Sequence, residues 1–190
     1  IKGKTLGIIG LGNIGEEVVR RARAFDVEIA AWSRSLTEER AADLGVTYCD
    51  TPTHLAGTAD IVTLHVAATP DTRHLADRSF FEALPDGALF INTTRASVVD
   101  EEALAWALDA KDLRAALDVM TGEPAAKTAD FEHPLADHPR VYMTHHIGAS
   151  TQQAQDATAV EAARVVTTFD ETGDVPNCVN LAVKTPARYQ

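Results

Sequence analysis

Basic residues are scarce in this chain: 17 Lys and Arg stand against 28 Asp and Glu among 190 residues, a net charge of −11. Surfaces for nucleic acid or anionic lipid are built from clustered cations, and no basic block occurs, so neither partner is expected. Cysteine is rarer still. Cys49 and Cys178 fit no metal-ligand spacing and make no disulfide framework, so no metal site is expected. Every apolar run meets a charge or a proline well before the roughly 20 residues needed to cross a bilayer. No basic-then-apolar leader opens the sequence, and the expectation is a cytoplasmic protein. Repeats and low-complexity tracts are also missing.

What is present is a regular alternation. Short apolar runs rich in β-branched residues recur at 6–9, 27–32, 61–64, 88–91, 115–117 and 141–143, with helical patterns between most of them. That order predicts a doubly wound parallel sheet covered on both faces. Ile14, Val18 and Ala22 at spacing four predict the sheet-facing stripe of the first helix. Thr37, Thr51 before Pro52, and Asp100 read as N-caps. The last and longest helix starts at a capping box of Ser150 and Gln153, carries a stripe of Ala159, Ala162, Ala163, Val166 and Phe169, and stops at Gly173. Residues 121–140 hold three prolines and little periodicity, and connections this long in compact domains are usually functional.

The most informative segment is Gly10-Leu11-Gly12-Asn13-Ile14-Gly15, between the first apolar run and the first amphipathic stretch. In a dinucleotide-binding turn the first glycine makes the bend, the second admits the pyrophosphate, and the third lets helix and strand pack closely. The helix then offers its amides and positive dipole end to the phosphates. Arg95, Glu123 and His146 follow later strands, on the edge where open α/β sheets hold their ligands. Beside a nicotinamide ring such a set suits alcohol–ketone chemistry. A guanidinium grips a carboxylate, an imidazole exchanges the hydroxyl proton, and a carboxylate orients the imidazole.

Further segments carry a family resemblance: His65-Val66 with Thr69-Pro70, Asn92 to Arg95 with Val99-Asp100, Leu117-Asp118-Val119, Glu123-Pro124 and His146-Ile147-Gly148. With the glycine turn, they make the chain resemble the cofactor-binding domain of D-2-hydroxyacid dehydrogenases. Gly148 to Thr151, Ala154-Gln155 and Asn177 to Asn180 look most like the phosphoglycerate branch. The resemblance implies that Arg95 binds the substrate carboxylate, His146 is the acid/base and Glu123 orients it. It further implies that Asp118 holds the nicotinamide carboxamide, and that Gly10, Gly12, Asn13, Ile14 and Gly15 surround the pyrophosphate. The reaction implied is oxidation of 3-phosphoglycerate to 3-phosphohydroxypyruvate, the entry to serine synthesis, by a homodimer. Three positions depart from the pattern: Ala96 replaces the usual glycine after Arg95, His145 the proline before His146, and Ala67 the proline after Val66. Ala96 fits only if its backbone needs no positive φ.

The cofactor is open between NAD and NADP. Where an acid would meet the adenosine 2′-hydroxyl, the chain reads Trp32-Ser33-Arg34-Ser35. Ser33 and Arg34 can meet a 2′-phosphate, or Arg34 can be a solvated strand-end residue stacking on the adenine. The family leans to NAD. His54, His74, His133 and His138 show no partner pattern and are expected in solvated or capping roles. The expected organisation is an NAD(P)-binding domain at 1–173 and a tail at 174–190 that would return to a missing substrate domain, so that the fragment alone turns over substrate poorly or not at all. Two rival readings remain: a glyoxylate or hydroxypyruvate reductase keeping the same three residues, and a dinucleotide-sensing module like the corepressors similar to this family.

Overall fold

Seven short strands, all parallel, are laid down in the order β3-β2-β1-β4-β5-β6-β7. They are β1 (Thr5–Ile9), β2 (Glu28–Trp32), β3 (Thr47–Tyr48), β4 (Ile61–Leu64), β5 (Leu89–Asn92), β6 (Arg114–Leu117) and β7 (Val141–Met143). This is a computed structural model in which residues 1–124 and 132–178 are described. Helices α1 (Asn13–Ala22), α2 (Glu38–Asp43), α3 (Pro52–Thr58), α4 (Arg78–Ala83) and α5 (Glu101–Ala110) make the crossovers, and α6 (Gln152–Thr172) follows the last strand. The chain divides into two compact units, Ile1–His146 and Ile147–Gln190. The expected doubly wound fold is the one observed in the first.

Both faces of the sheet are covered, which is why strands such as Ile61–Leu64 are buried at every position. On one face Phe80 and Phe81 of α4 meet Phe90 of β5 edge to face, with ring centroids 5.0 to 6.2 Å apart. Each is fully buried and contributes about 2–3 kcal/mol by removal from water. Leu55 of α3 and Leu104 and Leu108 of α5 complete this layer. On the other face Ile8, Ile29 and Ala31 pack under Val19 and Ala22 of α1 and Ala41 of α2. The winding reverses between β1, which pairs with β2 on one side and β4 on the other, and a crevice opens at such a switch point.

The expected caps hold at three helices. Thr37 accepts from Arg40 N, Thr51 from His54 N, and Asp100 from both Glu102 N and Ala103 N. Two other expectations need correction. The buried face of α1 is Gly15, Val19 and Ala22, and Ile14 is exposed. Helix α1 begins past the end of β1, so its first turn overhangs the sheet rather than lying on it. In the second unit, α6 is capped by Thr151, whose hydroxyl accepts from Ala154 N at 3.2 Å. Ser150 instead donates its own N–H to Ile147 O and closes a turn, which moves the extended cap conformation one residue on. Gly173 ends α6 at φ +77° as expected, while Val166 and Phe169 of the expected stripe are exposed. Of the tail expected at 174–190, residues 179–190 lie outside those described, among them Asn180. No helix among the described residues is long and apolar enough to cross a membrane.

Candidate active site at the carboxyl edge of the sheet

The glycine turn leaves the end of β1 with Gly10 at φ +100° and its N–H donated to Trp32 O at 2.7 Å. A Cβ on Gly10 would sit 2.6 Å from His65 O, and one on Gly15 would sit 2.1 Å from Gly10 O. Bend and helix therefore fit only because both side chains are hydrogen. Gly12 differs. A Cβ there would meet nothing within 4 Å, and as N-cap of α1 it offers no side chain to the first turn. The first internal helix bond is Glu16 N to Gly12 O, so the preceding amides of Asn13, Ile14 and Gly15 have no partner within the helix. Open space beside oriented donors fits a dinucleotide pyrophosphate.

From this turn a cleft of about 480 Å³ runs past Ile14, His65, Val66, Thr93 and Thr94 to Arg95. It joins the ends of β1, β4 and β5. His65 faces Thr63 Oγ1 at 3.1 Å, and burial pushes its imidazole below the usual histidine range. The wall it forms is accordingly uncharged at neutral pH. Arg95 is exposed and held from behind by a side chain that sequence reasoning treated only as part of a motif. Asn92, 1% exposed, donates from Nδ2 to Arg95 O at 3.1 Å and accepts from the N–H and hydroxyl of Thr94. Ala96 begins a 3₁₀ turn without positive φ, so the methyl in place of the usual glycine is accommodated.

Past the next two strands, β6 and β7, Glu123 Oε2 lies 3.0 Å from His146 Nδ1, while its Oε1 accepts from Met120 N. His146 has φ +59°, half its side chain exposed, and the neighbouring His145 is exposed. Arg95, Glu123 and His146 follow the adjacent strands β5, β6 and β7 on one edge of the sheet. Asp118, at the end of β6, is 7% exposed and accepts from Thr144 Oγ1 at 2.5 Å. Beyond the end of β2, Leu36 N donates to Ser33 O, and Arg34 Nη1 lies 3.4 Å from Asp71 Oδ2, both side chains well exposed. Asp71 had no signal in the sequence, being 37 residues from its partner.

His133 and His138 correct the expectation of solvated or capping roles. His133 Nε2 lies 3.1 Å from Glu101 Oε2, with the imidazole only 6% exposed, and His138 Nε2 lies 3.3 Å from Asp109. Both tie the long β6–β7 connection to α5, a partnership that sequence distance hides. Among the described residues no group of three or more His, Cys, Asp or Glu is placed to hold a metal ion.

Residues 1–148 match the family described as D-isomer specific 2-hydroxyacid dehydrogenase, NAD binding domain. The chain belongs to that family. It is 39% identical over 188 residues to the D-3-phosphoglycerate dehydrogenase of Bacillus subtilis, covering 98% of this chain and 35% of that protein. It is 40% identical over 172 residues to the hydroxypyruvate reductase of Thermotoga maritima, covering 90% of this chain and 54% of that one. Among solved structures, the NADPH-dependent glyoxylate/hydroxypyruvate reductase of Sinorhizobium meliloti, in complex with NADP and malonate, superposes with a TM-score of 0.81 at 30% identity. That match covers 93% of this chain and 53% of that one. The chain thus spans about a third to a half of the length of these relatives.

Proposed function

We propose that this NAD-binding domain serves a dehydrogenase that oxidises 3-phosphoglycerate to 3-phosphohydroxypyruvate, with Arg95, Glu123 and His146 as its working side chains. The observation that carries the chemistry is the Glu123–His146 contact of 3.0 Å, one strand away from Arg95. A nicotinamide ring held at this edge would supply the acceptor for the hydride that leaves the carbinol carbon with its electron pair. His146 takes the hydroxyl proton. Its Nδ1 faces Glu123, so Nε2 is the atom that receives it, and the carboxylate holds the ring in that orientation. Arg95 binds the substrate carboxylate and draws electron density from the forming carbonyl.

The pyrophosphate is assigned to the amides of the first turn of α1, within Gly10, Gly12, Asn13, Ile14 and Gly15, and Asp118 to the nicotinamide carboxamide. Ser33 and Arg34 stand at the adenosine end, where the choice between NAD and NADP is made. Residues 1–173 form the cofactor domain in this reading, and 174–190 lead back to the substrate domain of a homodimeric enzyme. The choice of 3-phosphoglycerate is supported by the 39% identity extending over 98% of the chain. A second reading, reduction of hydroxypyruvate or glyoxylate, is favoured by the 40% identity to the Thermotoga maritima reductase. Steady-state assays of the full-length protein separate them. Preference for 3-phosphoglycerate by kcat/KM supports the first, and preference for an unphosphorylated 2-oxo acid overturns it.

A further inference from the structure

Glu101 opens α5, directly after the Asp100 cap, where the unpaired amides of the first turn favour a carboxylate. Its two oxygens are spent on a different element. Oε1 accepts from Thr121 N at 2.8 Å, and Oε2 lies 3.1 Å from His133 Nε2. His133 Nδ1 in turn accepts from Leu135 N at 3.2 Å, which places the ring proton on Nε2 and makes that atom the donor to Glu101. Leu135 is 4% exposed and belongs to the core. One carboxylate therefore fastens the connection between β6 and β7 at two points, positions 121 and 133. The contact is sheltered, with side-chain exposures of 21% for Glu101 and 6% for His133.

Glu123 lies two residues beyond Thr121, and its Oε1 accepts from the N–H of Met120, next to the fastened amide. We propose that Glu101 and His133 are positioning residues: they clamp the β6–β7 connection to α5, hold Glu123 where it meets Nδ1 of His146, and thereby set the geometry of proton exchange. In this proposal the clamp acts on the reaction through Glu123. This inference rests on the reading of His146 as the acid/base.

The test is a double-mutant cycle in the full-length enzyme. Glu101→Gln keeps the shape but presents an amide N–H to the Nε2 proton of His133, so one arm opens without leaving a buried charge. His133→Ala removes that arm, and His133→Gln restores a donor at the same reach. Glu101→Gln and His133→Ala are expected to lower kcat about 10- to 100-fold, with KM for cofactor unchanged. His133→Gln restores most of it. Combined with Glu123→Gln, which removes the group being positioned, neither clamp variant lowers kcat further. Clamp variants with full kcat, or losses that multiply with that of Glu123→Gln, overturn the clamp while leaving the acid/base reading intact. Full kcat in Glu123→Gln itself overturns both.

Discussion

Gly15 stands so close to Gly10 that a methyl group on it would lie 2.1 Å from the Gly10 carbonyl oxygen. Gly12, between them, faces open space. Three glycines of one fingerprint thus answer to two demands, and substitution separates them. Gly15→Ala forces helix and strand apart and is expected to lower unfolding stability by about 1–3 kcal/mol. Gly12→Ala is expected to leave stability within about 0.5 kcal/mol of the parent and to weaken dinucleotide binding, because its methyl enters only the ligand's space. Urea unfolding and calorimetric titration with NADH distinguish the two. A Gly12→Ala protein with undiminished affinity contradicts the assignment.

Arg34 and Asp71 form an exposed ion pair beyond the end of β2, where the proposed function puts the adenosine. Charge reversal in Arg34→Asp is expected to weaken NADPH binding more than NADH binding, since a 2′-phosphate loses its cation and gains a neighbouring anion. Equal loss for both cofactors argues against discrimination at this residue. The exposed ion pair itself adds little to stability, so Tm is expected to stay put.

His65 connects the cleft to pH. Burial lowers its folded-state pKa below the ordinary histidine value of about 6.5, so the unfolded chain binds its proton first as pH falls. Its contribution is intact above about pH 6.5 and is lost as pH drops toward the folded pKa. His65→Gln is therefore expected to flatten the decline of Tm between neutral pH and pH 5. An identical decline in the variant rules out His65 as a source of acid sensitivity.

Asn92 offers a stability test at the site. Asn92→Ala removes a buried amide that holds Arg95 O and the Thr94 hydroxyl, and is expected to cost about 1–3 kcal/mol. It should also raise KM for the 2-hydroxy acid, because the loop carrying Arg95 loses its anchor. Unchanged KM would mean that the loop is held by other contacts.

Much of this was legible in the sequence because it is local. Strand runs, the glycine turn and the caps at Thr37, Thr51 and Asp100 depend on residues within four or five positions of one another. The two-residue β3 carries too little pattern to be noticed, and α4 spans only six residues. Arg95, Glu123 and His146 could be placed on one edge because each follows a strand of a parallel sheet. The long-range pairings elsewhere in the fold could not. Glu101 meets His133 across 32 positions and Asp71 meets Arg34 across 37, and such pairings exist only once the crossovers have formed. Ile14 misled for another reason: spacing reveals which residues share a helix face, but not where the sheet beneath that helix ends.

The central place of β1 also shapes how the domain is made. During synthesis it emerges well before β4, whose first residue lies 52 positions after the last of β1. Until then a largely apolar strand has one open flank, and distant parallel pairings of this kind form slowly. Holding the ribosome back before position 61 should leave a nascent chain that chaperones grip, and releasing it past β4 should let them go.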